Sequence, residues 1–116
     1  MEGIRVLIVE DEQLLSDLLE RAIQRINPDA ECVVARNAAQ ACEVIAGLVG
    51  EDLRMIIDGL LADNSTGDEV AVAAREANLA KFVRYSGEAE VGDEGLAFFH
   101  KGIDSCATVA QFILAL

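Results

Sequence analysis

IRVLIVE (Ile4–Glu10) is a nearly continuous apolar run that is rich in isoleucine and valine. A run without alternating polar positions is typical of a strand that is covered on both faces, as in a parallel sheet. The residues that follow, Gln13–Ile26, place leucine, isoleucine and alanine at helical spacing, and Asn27-Pro28 ends that pattern. This region therefore predicts a buried strand followed by an amphipathic helix.

The same alternation continues along the chain. Four further strands are predicted, at ECVVA (Glu31–Ala35), LRMII (Leu53–Ile57), KFVRYS (Lys81–Ser86) and LAFFHK (Leu96–Lys101). Helices are predicted from the N-cap residue Asn37 to about Val49, from Thr66 to about Asn78 and from Ser105 to about Ala115. Thr66 and Glu69 have the spacing of a capping box. Alternating strands and helices predict an α/β domain with a doubly wound parallel sheet between two layers of helices and right-handed crossovers.

Composition excludes several classes of function. The 116 residues suit one domain, and 53% hydrophobic content is enough for a core. A net charge of -12 with only nine basic residues argues against binding to nucleic acid or to an acidic membrane surface. No apolar run approaches the roughly 20 residues of a membrane span, and early charges interrupt any secretory signal. Three cysteines without a CxxC motif predict reduced thiols in a cytoplasmic protein without zinc.

Polar residues collect where the predicted strands end. The first strand ends in Glu10-Asp11-Glu12, the third in Asp58, the fourth in Ser86-Gly87 and the fifth in Lys101. In an open α/β sheet, ligands bind beyond the carboxyl ends of the strands. We therefore expect carboxylates, a hydroxyl and an ammonium to surround one crevice. The charge at the end of an otherwise apolar strand, Asp58, then belongs to the edge of a site.

This set resembles the receiver domain of two-component response regulators, and especially single-domain regulators of the chemotaxis type. The matching stretches are VLIVEDE (Val6–Glu12), the run that ends at Asp58, RYSG (Arg84–Gly87) and FFHKG (Phe98–Gly102). The resemblance covers essentially the whole chain. It implies a bacterial signalling domain with a five-stranded parallel sheet in the order 2-1-3-4-5 and five helices. It also implies that Asp58 accepts a phosphoryl group from a histidine kinase or a phosphotransfer protein.

The resemblance assigns roles to the other polar residues. Mg²⁺ is implied as the cofactor, bound directly by Asp11, Asp58 and the backbone carbonyl of Leu60, with Glu10 acting through water. Lys101 would hold a phosphoryl oxygen, Ser86 would donate a hydrogen bond to another, and Phe98 matches the aromatic switch position. Physical chemistry agrees with a cation, because two carboxylates about 5 Å apart repel each other by roughly 3 kcal/mol at an effective dielectric constant of about 20.

Three positions depart from the family's pattern. Ala62 and Gly102 stand where the family usually has proline, and Gly67 comes nine residues after Asp58, one later than in most members. The loop geometry and the dephosphorylation rate that the resemblance implies therefore do not carry over to this chain, whereas the reacting groups are all present.

The connection between the last two predicted strands is short. Only nine residues, Gly87–Gly95, separate Ser86 from Leu96, whereas a crossover with its helix normally takes at least about 10–12 residues. We therefore predict that the fourth helix of the family is shortened or missing. In the family, that helix belongs to the face used for dimerisation and partner binding. We accordingly expect that the protein does not form the usual symmetric dimer and is a monomer. We also expect that it binds an unknown downstream protein and that residues 1–116 contain no output domain.

Two alternatives remain open. A pseudo-receiver has the same fold but acts as a phosphorylation-independent protein-binding module, and it usually lacks one or more of the residues that are present here. A phosphatase of the haloacid dehalogenase type would carry Asp-x-Asp after the strand, whereas this chain has Asp58-Gly59-Leu60. This chain therefore lacks the second aspartate that such a phosphatase uses as its general acid.

Overall fold

The structure is a computed structural model that describes residues 3–48, 52–58, 66–79, 81–87, 97–102 and 104–116. Within these ranges, five strands and four helices follow one another. In chain order they are β1 (Arg5–Val9), α1 (Gln13–Ile26), β2 (Glu31–Ala35), α2 (Ala38–Gly47), β3 (Leu53–Ile57), α3 (Gly67–Glu76), β4 (Phe82–Ser86), β5 (Phe98–His100) and α4 (Cys106–Leu114).

All five strands form one parallel sheet in the order β2-β1-β3-β4-β5. The predicted α/β class and the implied strand order are confirmed. Because β1 lies between β2 and β3, the chain first runs from β1 to β2 at one edge of the sheet. It then crosses back past β1 to β3 and continues toward the other edge. This is the switch point at which open α/β sheets bind ligands. The stretch in which we expected a missing helix falls largely on residues 88–96, outside the described residues.

The core consists of two apolar layers, one on each face of the sheet. Helices α2 and α3 cover one face, where Leu7, Met55 and Phe82 are buried. Helices α1 and α4 cover the other face, where Ile8, Ile56 and Val83 are buried. Neighbouring residues of each central strand therefore enter opposite layers, which explains why these strands read as continuous apolar runs.

Local hydrogen bonds fix the helix starts. The Asn37 side chain accepts a hydrogen bond from the Gln40 N–H at 2.8 Å, so the predicted N-cap is confirmed. The Glu69 carboxylate accepts one from the Thr66 N–H at 2.9 Å, as the predicted capping box requires. At the last helix, Ser105 Oγ accepts one from the Thr108 N–H at 3.2 Å.

The apolar stripe of α1 is wider than the face that the sheet covers. Leu19 and Ile23 are buried, whereas Leu14, Leu18 and Ile26 are exposed to 69%, 44% and 46%. The helical spacing therefore predicted the helix correctly, but it did not distinguish the buried leucines from the exposed ones. Among the described helices, none combines the length and the apolar character needed to cross a membrane.

A buried arginine ties the sheet to the end of the last helix. Arg54, the second residue of β3, is 5% exposed and donates hydrogen bonds to the carbonyls of Ile113 and Leu114 at 3.0 and 2.9 Å. Its Nε and Nη2 atoms each lie 3.2 Å from an oxygen of Asp52. The guanidinium thus satisfies carbonyls at the C-terminus of α4, which have no partners within the helix.

The three cysteines, Cys32, Cys42 and Cys106, are half-buried free thiols. Burial raises the pKa of the Cys32 thiol to about 11. That thiol is therefore a weak nucleophile at neutral pH.

Candidate functional site

Strand register places Glu10 and Asp58 side by side at the carboxyl edge of the sheet. Val9 of β1 pairs with Ile57 of β3, so the residues that follow them leave the sheet together. The Asp58 N–H donates to the Val9 carbonyl at 3.0 Å, and the Glu10 N–H donates to the Ala35 carbonyl at 3.0 Å. The backbones that carry both carboxylates are therefore held by the central strands of the sheet.

Three carboxylates converge at this edge. Glu10, Asp11 and Asp58 each offer one oxygen, and these oxygens lie within 4.8 Å of one another. Glu10 and Asp58 are 2% and 7% exposed, whereas Asp11 is exposed. Hard oxygen ligands from several carboxylates, with one side open to water, suit the coordination of Mg²⁺. The donor set therefore fits the cofactor that the resemblance implies.

Lys101 brings a positive charge between two of the acids. Its Nζ atom lies 2.8 Å from Glu10 Oε1 and 3.1 Å from Asp58 Oδ2. Burial alone would lower the pKa of the Lys101 ammonium, but the hydrogen bond to Glu10 and the charges of Asp58 and Glu10 raise it above its usual value. The side chain therefore remains protonated and bridges two carboxylates that would otherwise repel each other.

One ammonium does not fully compensate the acids. Burial raises the pKa of the Glu10 carboxyl to about 7, and the charge of Asp58 adds to this, although the hydrogen bond from Lys101 opposes it. The Glu12 N–H also donates to Glu10 Oε2 at 3.1 Å. Ionisation of the buried Glu10 carboxyl beside two further acids is therefore costly, and a bound divalent cation would lower that cost.

The remaining candidates from the sequence fall at the same edge or outside the described residues. Ser86 ends β4 at 2% exposure, and its carbonyl accepts a hydrogen bond from the Lys101 N–H at 3.0 Å. Phe98 is half-buried in β5, in register with Arg84. The carbonyl of Leu60 belongs to residues 59–65, which are not described. The roles of Ser86, Phe98 and Leu60 stay predictions.

An arginine that the sequence analysis did not single out supports the acidic edge. Arg36 follows β2, and its Nη1 atom donates to the Glu10 carbonyl and to Ser16 Oγ, both at 3.0 Å. Ser16 is fully buried in α1. The guanidinium thus joins the end of β2, the end of β1 and the first turn of α1. Its position directly after a strand was the available signal, but its reach depends on tertiary packing.

The start of α3 lies directly against the residue that the resemblance identifies as the phosphoacceptor. A Cβ atom on Gly67 would lie 2.0 Å from the Asp58 carbonyl oxygen and 2.9 Å from Arg84 Nη2. Arg84 is 4% exposed in β4, and its Nη1 atom lies 2.9 Å from Asp68 Oδ1. The ion pair therefore fastens the first turn of α3 to β4 beside Asp58.

Solved structures resemble the whole chain, although no protein-family model and no curated protein sequence matches it. The receiver domain of PhyR from Erythrobacter litoralis is 25% identical with a TM-score of 0.75, and the match covers 99% of this chain and 90% of that one. A receiver domain described as that of the response regulator NarL from Mycobacterium tuberculosis is 20% identical with a TM-score of 0.79, covering 99% and 96%. A CheY-like receiver domain from Methylobacillus flagellatus is 22% identical with a TM-score of 0.69, covering 97% and 99%.

These likenesses give the chain the fold of a response regulator receiver domain over nearly its whole length. The family resemblance that the sequence motifs suggested is confirmed at the level of the fold. A fold alone does not define a function, so the candidate for any chemistry in this chain is the edge that carries Glu10, Asp11, Asp58 and Lys101.

Proposed function

We propose that the chain is a cytoplasmic receiver domain in which Asp58 accepts a phosphoryl group from a histidine kinase or a phosphotransfer protein. Modification of Asp58 then changes the binding of a downstream protein. The observation that carries this proposal is the Lys101 ammonium, which lies 3.1 Å from Asp58 Oδ2 within a cluster of three acids. On this proposal the protein catalyses the phosphorylation and dephosphorylation of its own Asp58, so it is not an enzyme that modifies a separate target.

The chemistry requires a nucleophile and compensation of charge. An oxygen of the ionised Asp58 carboxylate attacks the phosphorus of a phosphohistidine. The new O–P bond forms as the N–P bond breaks, and the imidazole leaves with the electron pair and takes up a proton. Lys101 balances charge on a phosphoryl oxygen as a compact point charge. Phosphoryl transfer depends mainly on such positioning and electrostatic stabilisation.

The acidic cluster also supports a role for Mg²⁺. Asp11 and Asp58 would hold the ion directly, together with the carbonyl of Leu60, and Glu10 would act through water. When bound, the ion supplies the positive charge that the carboxylates and the incoming phosphoryl oxygens share. Asp11 suits this role because its carboxylate is exposed at the mouth of the cluster.

Labelling with radioactive acetyl phosphate and Mg²⁺ tests the proposal. Wild-type protein should take up label at Asp58, whereas Asp58→Asn should take up none. Asp29→Asn, which changes an exposed aspartate far from the site in sequence, is the matched control and should label normally. Label at another residue would contradict the proposal. A folded wild-type protein that takes up no label from acetyl phosphate or from phosphorylated kinases would instead favour the phosphorylation-independent binding module.

A further inference from the structure

His100, the residue before Lys101, is held by Asp104, a residue that has no role in the proposed function. Asp104 and His100 are joined by two hydrogen bonds. Asp104 Oδ2 accepts from the His100 N–H at 2.8 Å, and the Asp104 N–H donates to the His100 carbonyl at 2.8 Å. The backbone directly before Lys101 is therefore fixed through both its N–H and its carbonyl.

A second contact ties Asp104 to the neighbouring strand. Tyr85 is 3% exposed in β4, and its hydroxyl donates to the Asp104 carbonyl at 2.7 Å. Burial raises the pKa of the Tyr85 phenol to about 12, so the hydroxyl keeps its proton and remains a donor. The carbonyl of the next residue, Ser86, accepts a hydrogen bond from the Lys101 N–H at 3.0 Å. Two adjacent residues of β4 thus hold the segment on both sides of Lys101.

The residue after Lys101 is a glycine, which restricts its own backbone less than other residue types do. Gly102 has a φ of +88°, and as a glycine it can adopt many backbone conformations. The ammonium nevertheless has to reach between Glu10 and Asp58, at 2.8 and 3.1 Å. The described contacts that can hold it there are the backbone pairing with Ser86, the His100 ring bond to the Lys101 carbonyl at 2.6 Å and the Asp104 bonds.

We propose that Asp104, fixed by the Tyr85 hydroxyl, is a positioning residue for Lys101. Its carboxylate clamps the His100 backbone, so that the following side chain keeps its ammonium between Glu10 and Asp58. Asp104 does not touch the reacting atoms and acts only through Lys101. The consequence for phosphoryl transfer rests on the proposed function, whereas the placement of the ammonium does not.

The chain offers an internal control, because its only lysines are Lys81 and Lys101. Acetylation with sulfo-NHS acetate, mapped by peptide mass spectrometry, reports the accessibility of both amines in the same sample. The side chain of Lys81 is 47% exposed and that of Lys101 24%. Lys101 should therefore react more slowly in the wild type. Asp104→Ala should raise its rate roughly fivefold, the factor expected for the loss of one hydrogen bond, and leave Lys81 unchanged.

Two further variants separate positioning from general destabilisation. Asp104→Asn keeps a side-chain oxygen that can accept the His100 N–H, so Lys101 should react as in the wild type. Tyr85→Phe removes only the hydroxyl bond and should raise the Lys101 rate. A rate that stays at the wild-type value in both Asp104→Ala and Tyr85→Phe would overturn the proposal. So would an Asp104→Asn variant as reactive as Asp104→Ala. If Asp104→Ala raises both lysine rates through unfolding, the Tyr85→Phe result decides.

Phosphorylation gives the second measurement. Asp104→Ala should slow labelling by acetyl phosphate roughly fivefold. In a Lys101→Met background the same substitution should have no further effect, because a residue that acts through Lys101 has nothing left to position. Losses that multiply in the double variant would overturn the proposal. If the wild type takes up no label, the proposed function fails alone, since lysine acetylation still tests the placement of Lys101.

Discussion

Gly67 lies so close to Asp58 that a Cβ atom on it would stand 2.0 Å from the Asp58 carbonyl oxygen. That oxygen belongs to the backbone at the end of the central strand β3, so it cannot move aside as the end of a flexible side chain could. Helix α3 therefore begins directly against the residue that we propose as the phosphoacceptor. The glycine is required here by close approach of two backbones.

Gly67→Ala should accordingly lower the free energy of unfolding by about 1–3 kcal/mol or more, because the added methyl group has no space. Urea denaturation measures this. Gly47→Ala is the matched control, since nothing lies within 4 Å of a Cβ at that helical position. It should be neutral or stabilise by about 0.5–1 kcal/mol. Equal effects of the two substitutions would contradict the close contact.

Gly102 illustrates a different requirement. With a φ of +88° it cannot be replaced by proline, whose ring fixes φ near about −65°. Although the family usually has proline here, Gly102→Pro should destabilise this protein by more than about 1 kcal/mol. Gly102→Asn should cost less than Gly102→Ala, because asparagine tolerates left-handed backbone better. Thermal melts of the three variants test this order, and a proline variant as stable as the wild type would disprove it.

Lys101 and Mg²⁺ should compensate the same carboxylates. Lys101→Met leaves the buried Glu10 and Asp58 without their ammonium and should lower stability by roughly 2–4 kcal/mol in the absence of metal. Added Mg²⁺ should then raise the melting temperature more in Lys101→Met than in the wild type. Asp11→Ala should abolish the rise. Lys81→Met, which removes an equal charge elsewhere, should respond to Mg²⁺ like the wild type. Equal Mg²⁺ responses in Lys101→Met and the wild type would count against shared compensation.

Asp52 predicts a dependence of stability on pH. The hydrogen bonds from Arg54 lower the pKa of its carboxyl below the usual value, and Lys81 at 3.5 Å acts in the same direction. A lowered pKa in the folded state contributes stability above the unfolded pKa of about 3.9, and this is lost as the pH falls through the folded value. The free energy of unfolding of the wild type should therefore exceed that of Asp52→Asn by a constant margin from pH 7 to about 5, and by a smaller margin below about pH 4.

Denaturation of both proteins across this range measures the margin. Asp17→Asn, exposed on α1, serves as the control for the loss of a surface carboxylate. A margin that grew toward low pH would contradict the role of the ionised Asp52.

The fold was predictable because its signals are local. Strands covered on both faces read as apolar runs, and β1 and β3 were placed to within a residue at each end. Asn37 and Thr66 mark helix starts through bonds to residues three positions away. In contrast, the order of the strands came from family resemblance, since pairing between distant segments leaves no comparable local pattern.

The candidate site was predictable only in part. Glu10, Asp58 and Lys101 follow strands, and the parallel sheet brings such positions to one edge. Arg36 was missed because its contact with the Glu10 carbonyl spans 26 positions and depends on the length of a side chain. Asp104 was missed for a similar reason, since its partner Tyr85 lies 19 positions away in another strand. These contacts follow from packing rather than from spacing.

The placement of Lys101 also affects the rim of the sheet. β5 is three residues long and lies at the end of the strand order, so that among the described strands it pairs with β4 alone. A strand so short has few ladder bonds to retain it, yet the residue after it carries the counter-charge for two buried acids. Detachment of β5 would remove the Lys101 ammonium from between Glu10 and Asp58 and so increase the repulsion between the two carboxylates. Electrostatic attraction therefore anchors the border of the sheet, and any change in the charge on Asp58 alters how firmly that border is attached.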